Sequence, residues 1–277
     1  MGDGARGGLS ARCPLCLPRT TAMTPQIVTA VLLLSTLSFV TTAAGVAMAL
    51  RLRSSNRAIA AGIGFSVGIM MLISLFELLP AALADAGWAF MLPAVAAGAA
   101  VIAMAHRLIP HRHLVTEGAG IDPVMIRSAY LVVLGLVLHD LPEGFAMANA
   151  YVATPTAGFV TAIAIALHNL PEEFAMAAPV VAISRRRALF GAALLSAAAE
   201  PIGAVIGLVA VGVSPSLNGA FLALAAGAML FVSVHELLPM AQRHGHRAHF
   251  AAGAAASVLV YGLLAALAPA LAGKAAP

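Results

Sequence analysis

Two near copies of one segment, His139-Asp-Leu-Pro-Glu143-Gly-Phe-Ala-Met147-Ala and His168-Asn-Leu-Pro-Glu172-Glu-Phe-Ala-Met176-Ala, stand in neighbouring apolar stretches of the chain. Residues i and i+4 share a helical face, so His139 with Glu143, and His168 with Glu172, each turn a ring nitrogen and a carboxylate toward one point. That is metal-ligand spacing. Asp140 precedes Glu143 by three residues and Asn169 precedes Glu172 by three, so each glutamate has a second oxygen neighbour and can bridge two ions. Nitrogen and oxygen without thiolate suit Zn, Fe(II), Mn, Co or Ni better than Cu(I). A third acid, Glu200, stands before Pro201 within Ser-Ala-Ala-Ala-Glu-Pro-Ile-Gly. Asp140, Glu143, Glu172 and Glu200 carry four formal negative charges, which two divalent cations neutralise.

These residues belong to an integral membrane protein. Of 277 residues 61% are hydrophobic and only 9% charged, outside the range of a soluble domain. Runs of about 20 apolar residues predict an all-α protein of eight spans: 26–50, 58–82, 88–105, 128–150, 157–183, 188–212, 218–241 and 249–271. Seven of the eleven carboxylates, Glu77, Asp140, Glu143, Glu172, Glu173, Glu200 and Glu236, lie inside these spans, and no Lys or Arg joins them. A central carboxylate costs roughly 2.5–3.5 kcal/mol on insertion scales, so the group needs protons, cations or water. Acids without basic partners suggest a mobile cation. Pro142 and Pro171 remove amide donors for the carbonyls of Leu138 and Leu167, which predicts kinks in the fourth and fifth spans. Irregular backbone at that depth is tolerated where it lines a cavity.

Arg51, Arg53, Arg57, Arg107, Arg112, Arg127, Arg185, Arg186, Arg187, Arg243 and Arg247 fall in alternate loops, eleven of the fifteen basic residues. The positive-inside rule makes that face cytoplasmic. Both termini then face outward across a cell inner (plasma) membrane. The net charge of +4 orients the chain in lipid rather than marking it for nucleic acid. Residues 1–25 form an N-terminal extension ahead of a single transporter domain over 26–272, and Met23 is a more natural start than Met1. Cys13 and Cys16 are confined to that extension, where a CxxC metal or redox role is disfavoured. The connection 106–127, with His106, His111 and His113, reads as a cytoplasmic loop, and His244, His246 and His249 follow the seventh span.

A second repeat, Glu77-Leu-Leu-Pro80 and Glu236-Leu-Leu-Pro239, falls in the second and seventh spans. The topology puts Glu77 toward the outer mouth and His235 with Glu236 toward the inner one, bracketing the centre. Met147 and Met176 read as packing residues. Gly64-xxx-Gly68 and Gly203-xxx-Gly207 permit close helix approach, a weak sign of a homodimer seam.

The paired segments make the chain resemble the ZIP (Zrt/Irt-like) family of divalent metal transporters, in its bacterial branch. The resemblance implies an eight-helix bundle that moves metal into the cytoplasm through a binuclear centre. It implies one site from His139, Glu143, His168 and Glu172, and another from Asp140, Glu143, Asn169, Glu172 and Glu200. His235 and Glu236 match an exit region, and the His-bearing loop a metal-binding one. Zinc is the first candidate cargo, with iron, manganese, cobalt, nickel and cadmium after it. Two positions depart from the motif: Asp140 stands where Asn is usual and Glu173 where Gly is usual, and Glu173 lies ~100° around the helix from Glu172. Two rival classes remain open, an intramembrane metallohydrolase and a proton-coupled carrier of an organic solute. The first needs H-E-x-x-H where this chain has H-x-x-x-E; the second leaves the paired His–Glu spacing unexplained.

Overall fold

A computed structural model describes residues 24–51, 55–108, 140–182, 186–243 and 245–272. Residues 1–23 with Cys13 and Cys16, the segment 109–139 with His111, His113 and His139, and His244 lie outside the described residues.

Every described element is helical, as expected where the backbone must satisfy its own hydrogen bonds in hydrocarbon. The helices are α1 (Pro25–Ser35), α2 (Leu37–Arg51), α3 (Asn56–Ile73), α4 (Leu79–Leu108), α5 (140–153), α6 (Pro155–Ala182), α7 (Arg186–Val213), α8 (Asn218–Val232), α9 (Leu238–Arg243) and α10 (Arg247–Ala272). Five stretches among the described residues are long and apolar enough to cross a membrane: Pro25–Arg51, Asn56–Ala105, Ala193–Val213, Pro215–His235 and Arg247–Leu267. The chain is thus an all-α, multi-pass membrane protein.

Local chemistry sets the breaks. The hydroxyls of Ser35 and Thr36 donate to the carbonyls of Leu32 and Leu33, competing with the backbone ladder where α1 gives way to α2. The expected second and third spans run on from Asn56 to Leu108 and part at Gly87, whose φ of 69° only glycine adopts without strain. Just before it, Asp85 Oδ2 accepts the Gly219 N–H at 2.7 Å, filling an orphan donor at the start of α8. Thr154 does the same for α6, accepting the Ala157 N–H at 3.1 Å with Pro155 at the first helical position.

Leu138, whose carbonyl faces Pro142, lies outside the described residues. Helix α6 stays α-helical through Pro171, and Pro142 lies in the first described turn of α5. Elsewhere, Ser74–Leu78 and Ser233–Leu237 are five-residue π turns, closed by bonds from Leu79 N–H to the Ser74 carbonyl and from Leu238 N–H to the Ser233 carbonyl. Each ends just ahead of a proline, Pro80 or Pro239, which has no N–H for the ladder, so the register shifts beside a donor already missing.

Three seams hold the helices together, each made by glycines from both partners. Gly98 lies over the Leu224 carbonyl and Gly227 over that of Val95, joining α4 to α8; Gly64 and Gly253 lie over Phe250 and Ala61, joining α3 to α10. Gly144 and Gly203 lie over the carbonyls of Glu200 and Leu141, joining α5 to α7. Small residues let backbones approach this closely, where packing and weak Cα–H···O contacts bind helices. The glycine pairs expected as a dimer seam are therefore used inside the chain: Gly64 and Gly68 face α10, Gly203 and Gly207 face α5. Large apolar side chains such as Phe90, Phe190 and Leu259 are exposed at the outside, while Asp140, Glu143, His168 and Glu200 are buried.

Gly203→Leu should therefore force α5 and α7 apart and cost about 1–3 kcal/mol, the usual penalty of overpacking. Gly262, with nothing within 4 Å, serves as control: Gly262→Leu should leave the thermal midpoint in detergent unchanged while Gly203→Leu lowers it.

Candidate metal centre

Helices α5, α6 and α7 supply the polar core. Asp140 and Glu143 come from α5, His168, Asn169, Glu172 and Glu173 from α6, and Glu200 from α7, all of them buried. The Gly144–Gly203 seam brings α5 and α7 into backbone contact at Glu200 itself, since a Cβ on Gly144 would meet the Glu200 carbonyl. On its other sides α6 meets α2 at Gly45, against Glu173 and Leu170, and α3 at Gly62, against Pro171. The motif is thus wedged among four helices.

Two cross-helix pairs form inside this wedge. His168 Nε2 stands 2.9 Å from Glu143 Oε1, and its Nδ1 stands 3.0 Å from the Ala164 carbonyl. A carbonyl only accepts, so Nδ1 carries a hydrogen, and the contact between Nε2 and the carboxylate holds another. Asn169 Nδ2 donates to Glu200 Oε2 at 3.3 Å, while Asn169 Oδ1 meets no hydrogen-bond partner among the described residues. The backbone carbonyl of His168 accepts from Ser66 Oγ at 3.1 Å, which fixes this turn of α6 against α3.

Among the described residues no three His, Cys, Asp or Glu side chains already surround a point where an ion would sit. The nitrogen and oxygen expected to grip one ion hold each other instead. Two atoms sharing one tetrahedral zinc at about 2.0–2.2 Å would stand ~3.4 Å apart, a little wider than the 2.9 Å between His168 Nε2 and Glu143 Oε1. His139, the fourth residue of that set, lies outside the described residues. Met147 is fully buried in the apolar core, as expected of a packing residue.

Glu173 points elsewhere. Its Oε1 accepts from Thr42 Oγ1 of α2 at 3.0 Å and from Ser196 Oγ of α7 at 2.5 Å, and Ser196 Oγ also stands 2.5 Å from Asp140 Oδ2. Asp140, Ser196 and Glu173 therefore line up across α5, α7 and α6, with Thr42 at the end, and the single Ser196 hydroxyl hydrogen is donated to one of the two carboxylates at a time. Sequence reasoning passed over Ser196 and Thr42. The signal for Ser196 was present, because it precedes Glu200 by four residues and so shares its face; for Thr42 there was none, since its partner is 131 residues away.

The other repeat lies on the two π turns rather than on α5, α6 or α7. Glu77, in the first π turn, accepts a hydrogen bond from Tyr261 at 3.0 Å. His235, in the second, is exposed and stacks on Phe231 with ring centres 4.2 Å apart. Only the backbone of Glu236 is described.

The sequence profile of a family described as ZIP Zinc transporter matches residues 111–268. Proteins named Zinc transporter ZupT from Salmonella newport strain SL254, Salmonella typhimurium strain LT2 and Salmonella typhi are each 42% identical over 203 residues. Each alignment covers 69% of this chain and 77% of the relative.

Ser196→Ala should remove the hydroxyl that separates the Asp140 and Glu173 carboxylates and cost about 1.5–3 kcal/mol, the worth of a hydrogen bond to a charged group, with Thr42 still donating to Glu173. Thr42→Val should cost less, because Glu173 keeps Ser196. Thermal unfolding of the detergent-purified protein measures both; equal midpoints for wild type and Ser196→Ala would show that these contacts carry no stability.

Proposed function

Because the chain belongs to the ZIP zinc transporter family, and so carries divalent metal across a membrane, we propose that zinc enters the cytoplasm through the core shared by α5, α6 and α7. The contact that carries this reading is His168 Nε2 to Glu143 Oε1, an imidazole and a carboxylate from two helices, both fully buried and 2.9 Å apart. His139, Glu143, His168 and Glu172 would bind one ion, and Asp140, Glu143, Asn169, Glu172 and Glu200 a second. The cross-helix contact of Asn169 with Glu200 supports the second set. Iron, manganese, cobalt, nickel and cadmium suit the same nitrogen and oxygen donors. The hydrolase reading finds no support in a family of transporters.

The remaining parts of the proposal rest on the sequence. Eight spans follow if 128–150 and the α6 stretch cross the membrane along with the apolar stretches already described. Both termini then face outward from a plasma membrane, and the arginine-bearing loops face the cytoplasm. Glu77 would lie near the outer opening, with His235 and Glu236 near the inner one.

Binding requires deprotonated ligands. An arriving ion displaces the proton held between His168 and Glu143, so acidic solutions oppose loading. At fixed zinc concentration, uptake into proteoliposomes should fall as the pH is lowered, because protons compete with the ion for the same nitrogen and oxygen atoms. Radioactive zinc uptake should also drop at least ~10-fold in Glu143→Ala and in His168→Ala, since losing one ligand from such a site costs more than the ~1.4 kcal/mol of a tenfold change. Uptake indifferent to both substitutions would remove the central site from the transport path.

A further inference from the structure

The two copies of the paired segment differ at two places: Asp140 stands where the second copy has Asn169, and Gly144 where it has Glu173. Helix α7 meets all four residues. Gly144 leaves room for the Glu200 carbonyl, and Asn169 donates to Glu200 Oε2 at 3.3 Å. Asp140 and Glu173 come together one turn earlier on the same face of α7, each 2.5 Å from the Ser196 hydroxyl. The acid that the second copy gains is thus directed at the acid that the first copy carries.

That meeting is a competition. Ser196 has one hydroxyl hydrogen, and two buried carboxylates stand within reach of it. A hydrogen bond stabilises the charge of a carboxylate, so an oxygen that accepts one is a weaker partner for a cation. When Ser196 donates to Asp140, that oxygen must shed the hydrogen before it bonds a metal. When Ser196 donates to Glu173, Asp140 is relieved of the bond. Thr42 Oγ1 influences the outcome from the far side, because its own bond to Glu173 at 3.0 Å already stabilises part of that charge.

We propose that Glu173 is a positioning residue for metal binding: it draws the Ser196 hydrogen away from Asp140 and so strengthens Asp140 as a ligand, while touching no ion itself. The inference rests on Asp140 being a ligand of the second ion. Thr42 opposes Glu173, since a carboxylate bonded by Thr42 competes less strongly for Ser196. If these side chains served packing alone, each loss would harm the site. Competition for one hydrogen instead gives the losses opposite signs.

The test measures zinc uptake by the full chain in proteoliposomes at one pH, as KM and maximal rate per folded protein. Glu173→Ala should raise KM about tenfold, the lower end of what a hydrogen bond to a charged group is worth, with the maximal rate within about twofold of wild type. Thr42→Val should lower KM about twofold, the reverse direction, by leaving Glu173 a stronger competitor. Adding Ser196→Ala to Glu173→Ala should bring KM back to within about twofold of wild type, although the double variant melts lower. Glu173→Gln, a weaker acceptor of the same size, should raise KM less than alanine does and stays readable if the alanine variant does not fold. A wild-type KM in both Glu173 variants, or a KM that Ser196→Ala raises further, overturns the proposal. Asp140→Ala separates this role from the underlying site: unchanged uptake there removes Asp140 as a ligand and Glu173 with it. A raised KM in Asp140→Ala beside wild-type behaviour of the Glu173 variants removes the role of Glu173 alone.

Discussion

Burying carboxylates in helical stretches whose sequence carries no lysine or arginine beside them is the constraint on which the rest of this molecule is built. Asp140, Glu143, Glu172, Glu173 and Glu200 lie within three neighbouring helices and are each at most 4% exposed. Removing such groups from water is expensive unless hydrogen bonds or counter-charges replace it. The protein uses hydroxyls and an amide for that purpose, which stabilise negative charge without cancelling it, and beside Glu143 an imidazole whose proton can be displaced. A core neutralised by fixed cations would be more comfortable and would have no use for an arriving one.

The same constraint explains the glycines. A polar core shared among helices works only if the helices stand close enough for short side chains such as Ser38, Thr42, Ser66 and Ser196 to reach across. Glycines supply that closeness at the seams, and at Gly144 the close approach falls on the backbone of Glu200 itself. Packing and site geometry are therefore not separable on α5 and α7. The outer helices face a different demand: α4 with α8 and α3 with α10 are sealed by reciprocal glycines but carry none of the buried acids of the central motif, and their irregular backbone includes the two π turns and Gly87.

Much of this was legible in the residues. The apolar runs gave the helical class, and the repeated H-x-x-P-E spacing gave the residues that meet in the core, because i, i+4 periodicity is local. What could not be read is everything that depends on a partner far along the chain. Thr42 and Ser66 are ordinary helix residues until α6 is packed against them. The π turns were hidden for another reason: Glu-Leu-Leu-Pro was visible as a repeat, but a proline in an apolar helix predicts a kink at least as readily as a widened turn. Pro171 shows the converse, a proline carried within a helix that continues past it.

Glu172 and Glu173 show how one turn of helix can serve two purposes. Adjacent residues point ~100° apart, so the pair cannot face a single cavity together. Glu172 shares a face with His168. Glu173 turns toward α2 and α7, where Thr42 and Ser196 bind it and Gly45 leaves room for its stem. Had Glu173 faced the same centre, five carboxylates would crowd around charge enough for two divalent ions to neutralise only four. Instead the fifth is connected to the centre through Ser196 and Asp140. Its charge is felt there through a hydroxyl, and its position ties three helices to one ligand candidate.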